Sequence, residues 1–152
     1  MSMKKYIKFV LLILWMALIF FFSSQISNDS TATTNIVIDM LYKIYRVFVI
    51  PPKDIVTFTE MVFKPVRKLA HFAEFAILGL LIYINVKDFK TNKTVLLSAI
   101  LSFLYAVSDE IHQIFVPGRA CTFVDMLIDL SGAIVGILFI HLILKRWKKQ
   151  KD

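Results

Sequence analysis

Ionisable side chains recur at helical spacing inside runs that are otherwise apolar. Arg67, Lys68, His71 and Glu74 lie in one run, Asp109, Glu110, His112 and Gln113 in a second, and Asp125 and Asp129 in a third. Two kinds of chemistry fit these residue types. A histidine beside a carboxylate can hold a divalent metal or act as an acid-base pair, which makes His71, Glu74, Asp109, Glu110 and His112 the candidate catalytic residues. Arg67, Lys68 and Arg119 suit an anion, because a guanidinium presents a planar donor fork to phosphate and an ammonium supplies a point charge. His112, Gln113, Asp125 and Asp129 complete the candidate ligand-binding set around them. Neither His-carboxylate pair has the HExxH order, and Ser108 beside Asp109 is only a weak hint of a nucleophile, so the residues fix no reaction. A divalent metal is therefore a secondary expectation, and the chain is not assigned as an enzyme.

The elements that must position these groups are membrane spans. Of the 152 residues, 58% are hydrophobic, too many for a soluble domain of this size, and they sit in long runs. Four runs reach the roughly 20 residues that cross a hydrocarbon core: 6–22, 66–86, 94–116 and 123–144. The first has no small-x-small cleavage site around Phe22-Ser23-Ser24-Gln25 and is expected to be a retained anchor. The net charge of +7 is explained by basic flanks on apolar spans, so nucleic-acid binding is not expected. Cys121 is the single cysteine, which excludes an intrachain disulfide and any multi-thiolate zinc site.

Basic residues flanking spans stay cytoplasmic. Lys4, Lys5 and Lys8 mark the start of the first span, Lys87, Lys90 and Lys93 fill the link between the second and third, and Lys145, Arg146, Lys148, Lys149 and Lys151 follow the fourth. Both termini are therefore expected in the cytoplasm, with residues 23–65 as a long extracellular loop. Within that loop, Ile36, Met40, Ile44 and Val47 or Phe48 recur at the spacing of an amphipathic helix lying at the membrane interface, ended by Pro51-Pro52. A shorter apolar piece, 55–63, is expected to stop at Pro65 and lie at the surface. The fold class is thus all-α: a four-transmembrane-helix bundle with amphipathic interfacial helices in the first loop, forming one domain over 1–152.

With that orientation, the intramembrane charges gather at the outer ends of their helices. Glu74, Asp109 and Asp129 each lie seven residues inside a span end, at Arg67, Val116 and Thr122. This puts three carboxylates in one layer roughly 10 Å along their helices. Each ionisable group costs about 2.5 to 3.5 kcal/mol at a helix centre, and lipid cannot satisfy it, so the polar seams should face one another. An ion-pair network that fixes helix register is the plainer alternative to a binding site. Gly132 and Gly136, on the Asp125 and Asp129 seam, are expected to pack within the bundle. Trp15, Trp147 and His141 are expected to be packing or interfacial residues without a functional role.

The combination of motifs is specific. His71-Phe72-x-Glu74, then Asp109-Glu110-x-His112-Gln113-x-Phe115-x-Pro117-Gly118-Arg119, then Asp125-x-x-x-Asp129-x-x-Gly132 resembles the VanZ-like family of bacterial membrane proteins. The end of the first span, Phe22-Ser23-Ser24-Gln25, is similar too. The resemblance implies a cell-envelope role: the founding member confers low-level resistance to teicoplanin, a lipoglycopeptide that acts outside the cytoplasmic membrane. It brings no settled catalytic mechanism. The expected partner is a membrane lipid or lipid-linked cell-wall precursor, with a lipoglycopeptide as a further candidate. An intramembrane enzyme on such a molecule, metal-dependent or not, and a lipid transporter are the alternatives. Oligomeric state and ligand identity are not legible.

Overall fold

The computed structural model describes residues 3–24, 27–49, 54–87, 93–117, 119 and 121–150, with 27–33 described through their backbone alone. Gln25, Pro51, Pro52, Lys90, Gly118 and Lys151, which figure in the sequence reading, lie outside the described residues. Five helices account for nearly all the rest: α1 (Met3–Ser24), α2 (Ser27–Phe48), α3 (Ile55–Val86), α4 (Thr94–Gln113) and α5 (Phe123–Lys149). All but α2 are long and apolar enough to cross a membrane. The all-α fold with four candidate spans thus agrees with the sequence.

The expected break at Pro65 does not occur. Asp54 caps α3, its Oδ1 accepting from the Val56 and Thr57 N–H groups at 3.0 Å, and the helix then runs unbroken through Pro65 for 32 residues. Proline lacks the N–H that would bond the Met61 carbonyl, but Pro65 and Met61 are both exposed, so the orphaned carbonyl is not trapped in the core. At about 1.5 Å per residue α3 is roughly 48 Å long, well beyond a hydrocarbon core of about 30 Å.

The surplus first turns of α3 carry α2. Phe58 is buried between Tyr42 and Tyr45, with ring centroids 5.3 and 4.8 Å apart, and Ile38 is buried beside them. The inward face of α2 is therefore the Ile38, Tyr42 and Tyr45 stripe. Ile36, Met40, Ile44 and Val47, the row read from spacing as the apolar face, is exposed on the outside. Both rows are periodic, and aromatic bulk decides which one docks.

Within the bundle α3, α4 and α5 pack on one another, and α1 lies against α3 and α4. The core joins Ile19, Phe75, Leu78, Ile82, Val86, Ala106 and Ala133. The closest approach is between α3 and α5. A Cβ at Gly132 would run into the Phe72 carbonyl, one at Gly136 into the Ala76 carbonyl, and one at Gly79 into Ala133. The Gly132 and Gly136 pair is thus spent on packing inside the bundle, as expected. Small residues at these positions let the two backbones meet, which brings the polar seams together without long side chains between them.

α4 ends sooner than the expected span. After Gln113 the chain turns through Ile114, Phe115 and Val116 with backbone bonds to residues three earlier, and the Arg119 N–H closes a turn on the Val116 carbonyl at 3.1 Å. Thr122 then caps α5, accepting from the Asp125 N–H at 3.1 Å. At the opposite end of the bundle, Tyr83 Oη and His141 Nδ1 share a hydrogen bond of 2.8 Å, which gives His141 a packing partner on α3.

Candidate functional site

The ends of α1 and α4, the middle of α3 and the start of α5 meet toward one end of the bundle, and there the polar seams converge. His71 of α3, Asp109 of α4 and Asp129 of α5 each offer a ligand atom, and the three atoms lie within 4.8 Å of one another. Glu74 joins from the next turn of α3, its Oε2 lying 3.9 Å from His71 Nδ1. The carboxylate layer counted from the sequence is therefore present, though not as a set of equivalent groups.

Asp109 is the most constrained member. Its Oδ2 accepts from Ser23 Oγ at 2.8 Å and from Gln113 Nε2 at 2.9 Å, while Oδ1 has no hydrogen-bond partner among the described residues. Asp129 is 1% exposed, and neither of its oxygens has such a partner. Ser23 was not singled out from the sequence as a site residue. The signal for it was present in the Phe22-Ser23-Ser24-Gln25 pattern, because a serine at the end of an apolar span gains a donor role only if a buried acceptor faces it.

Other candidates prove to be committed to the frame. Glu110 is buried at 2% exposure and faces the turn before α5, where its Oε2 accepts the Thr122 N–H at 3.0 Å. It also bonds the Cys121 thiol, and burial together with that bond and the Glu110 charge pushes the thiol above its ordinary pKa. Asp125 accepts from the Thr122 hydroxyl at 2.7 Å and pairs with Lys68, whose Nζ lies 2.9 Å from Oδ1. Lys68, expected to meet a ligand, thus spends its charge on locking α3 to α5. His112 stacks on Phe20 of α1 at 4.0 Å between centroids; its Nδ1 is buried with no hydrogen-bond partner among the described residues, and it is not among the three clustered ligand atoms.

Above the layer stands Arg119. It donates to Gln113 Oε1 at 3.4 Å and to the Phe22 carbonyl at 3.1 Å, which ties the turn to α1 and to the residue that orients Asp109. Burial, and next the charge of Arg67, lower its pKa, while Asp109, Glu74 and Glu110 pull the other way. Arg119 stays protonated at neutral pH regardless, but it is a desolvated cation beside a second one. Arg67 itself is half-buried on α3 and has no hydrogen bond or ion pair among the described residues.

Two side chains fasten α1 to the site from below. Trp15 Nε1–H donates to the Glu74 carbonyl at 3.0 Å, and Tyr105 Oη–H donates to the Met16 carbonyl at 2.6 Å. Trp15 is accordingly a packing residue, as the sequence suggested.

Compared with known proteins, the chain matches one family model, described as VanZ/LLP1, over residues 8–144. No curated protein and no solved structure matches it.

Proposed function

This chain belongs to the VanZ/LLP1 family, and from that premise we propose that it receives the anionic headgroup of a membrane lipid or lipid-linked cell-envelope precursor. On this reading it is a multi-pass protein of the bacterial cell membrane with both termini in the cytoplasm. The site then opens at the outer leaflet, where occupancy of the headgroup lowers susceptibility to lipoglycopeptides such as teicoplanin.

The observation that carries the reading is Arg67, a half-buried guanidinium with no ion-pair partner among the described residues, whose charge bears on a second half-buried guanidinium at Arg119. Two partly desolvated like charges repel; Asp109, Glu74 and Glu110 offset this at Arg119, whereas Arg67 has no such ion-pair partner among the described residues, and a phosphate can accept from both forks at once. Lys68 contributes less because Asp125 already holds it.

The test uses the full chain in detergent, with a polyprenyl phosphate as the probe and phosphatidylcholine as the zwitterionic control, read by native mass spectrometry. Arg67→Ala should weaken polyprenyl phosphate binding by about tenfold or more, on the order of 1.4 kcal/mol. Arg67→Lys should recover it only in part, and membrane abundance should be unchanged. Equal binding of the phosphate by Arg67→Ala and the native chain would remove the reading. A second reading, an intramembrane enzyme acting on the same class of molecule, is favoured by the cluster of His71, Asp109 and Asp129, which lies one turn deeper than Arg67.

A further inference from the structure

We propose that His71, Asp109 and Asp129 form a binding site for one divalent transition-metal cation, with zinc the best match. The three residues come from three different helices, and their ligand atoms lie within 4.8 Å of one another. Zinc bonds of about 2.0 to 2.2 Å place neighbouring ligands roughly 3.4 Å apart, so the cluster closes onto a cation by about an ångström of side-chain movement.

What points to a ligand is the state of the acceptors. Both oxygens of Asp129, Oδ1 of Asp109 and Nδ1 of His71 have no hydrogen-bond partner among the described residues, and the two aspartates are 1% and 2% exposed. Buried carboxylate oxygens are normally satisfied, and orphaned ones are costly. The neighbouring fixed cations do not meet this need: Lys68 is paired with Asp125, and Arg119 donates to Gln113 and to the Phe22 carbonyl. A cation at the cluster satisfies three orphaned groups in one step.

The surroundings are those of a supported ligand. Ser23 and Gln113 occupy Asp109 Oδ2 and leave Oδ1 turned free, and Arg119 in turn holds Gln113. Such outer contacts fix the orientation of a metal-binding carboxylate. One imidazole with two carboxylates favours zinc and its neighbours over magnesium or calcium, which take oxygen ligands only. Three protein ligands also leave a coordination position open to water or an anionic oxygen, the pattern of a working and not merely a structural site. The assignment is independent of the headgroup reading, since its test contains no lipid.

The full chain, purified in detergent with a tag free of histidine and cysteine, is stripped with chelator, reconstituted with Zn2+ and desalted. Metal content should be about one per chain, and Zn2+ should raise the unfolding temperature while Mg2+ and Ca2+ do not. Asp129→Asn and His71→Gln should abolish stoichiometric metal, and Cys121→Ser should retain it. Co2+ in place of Zn2+ should give visible absorption bands that Asp129→Asn removes. If Asp129→Asn fails to fold, the temperature shift and the Co2+ spectrum of the native chain still decide. A native chain that holds less than about a tenth of an equivalent and shows no shift, or an Asp129→Asn variant that binds zinc as the native chain does, overturns the assignment.

Discussion

Ser23 shows how much a single hydroxyl carries here. It is fully buried and donates to Asp109, so Ser23→Ala removes one of the two donors on that carboxylate and leaves the oxygen in a dry site. The expected loss is about 1 to 3 kcal/mol, the range for taking a partner from a buried polar group, measured by unfolding in detergent. Ser23→Thr keeps the hydroxyl and should lose less. An alanine variant as stable as the native chain would show that Gln113 alone suffices. The types and register of the site residues were legible from spacing: His71, Glu74, Asp109 and Asp129 do come together. Their division of labour was not. Glu110, Asp125 and Lys68 look the same in sequence as their neighbours, yet they clamp the turn before α5 and lock α3 to α5. One residue along a helix turns a side chain by about 100°, enough to move Glu110 away from Asp109's neighbours and toward Thr122.

At the scale of the element, the contact between α3 and α5 sets the site. Gly136 faces the Ala76 carbonyl so closely that any side chain there forces the helices apart. Gly136→Val should therefore destabilise the full chain by at least about 2 kcal/mol. It should also lose metal in proportion, because Asp129 sits two turns away on the same helix. Leu138→Ala, on the exposed side of α5, serves as the control and should change stability little. Equal behaviour of the two variants in unfolding would argue that the glycine pair is incidental. The Gly-x-x-x-Gly spacing made this contact legible in advance. The opposite case is α2, where counting apolar positions found one row, Ile36, Met40, Ile44 and Val47, but not the second row, Ile38, Tyr42 and Tyr45, that turns toward α3. Ile36, Met40 and Ile44 share the helical period, but it is the rings of Tyr42 and Tyr45 that lie against Phe58, at 5.3 and 4.8 Å between centroids. Pro65 misled for a related reason: a proline ends a helix only where its missing bond cannot be tolerated, and that depends on exposure, which sequence does not display.

For the whole molecule, the testable matter is which side of the membrane the site faces. Cys121 lies in the short turn beside Arg119, so a membrane-impermeant thiol reagent on intact cells should modify it, while a cysteine placed at Lys149 should stay unlabelled. Only the thiolate reacts. Burial and Glu110 raise the Cys121 pKa, so labelling is slow at neutral pH and should rise with each step in pH through the mildly alkaline range. Labelling of the Lys149→Cys variant in intact cells, with Cys121 silent even at alkaline pH, would invert the orientation and with it the outer-leaflet reading. The spans themselves were plain from composition and length. The 32 residues of α3 were not, since the apolar piece 55–63 reads as a separate surface element ended by Pro65 and not as the first turns of the second span.

The tie between Ser23 and Asp109 joins residues 86 positions apart. At about 5 to 20 residues per second of synthesis, roughly 4 to 17 s pass between the moment the first partner is made and the arrival of the second. During that interval α1 stands in lipid as a lone span, and its composition allows this, because past its basic start it carries no ionisable side chain. α3 has no such independence: His71 and Glu74 remain without their counterparts until α4 and α5 have been made. The site therefore assembles last, when the fourth span delivers Asp129. The order in which the chain is built thus places its polar groups together only after every helix that must shield them is already in the bilayer.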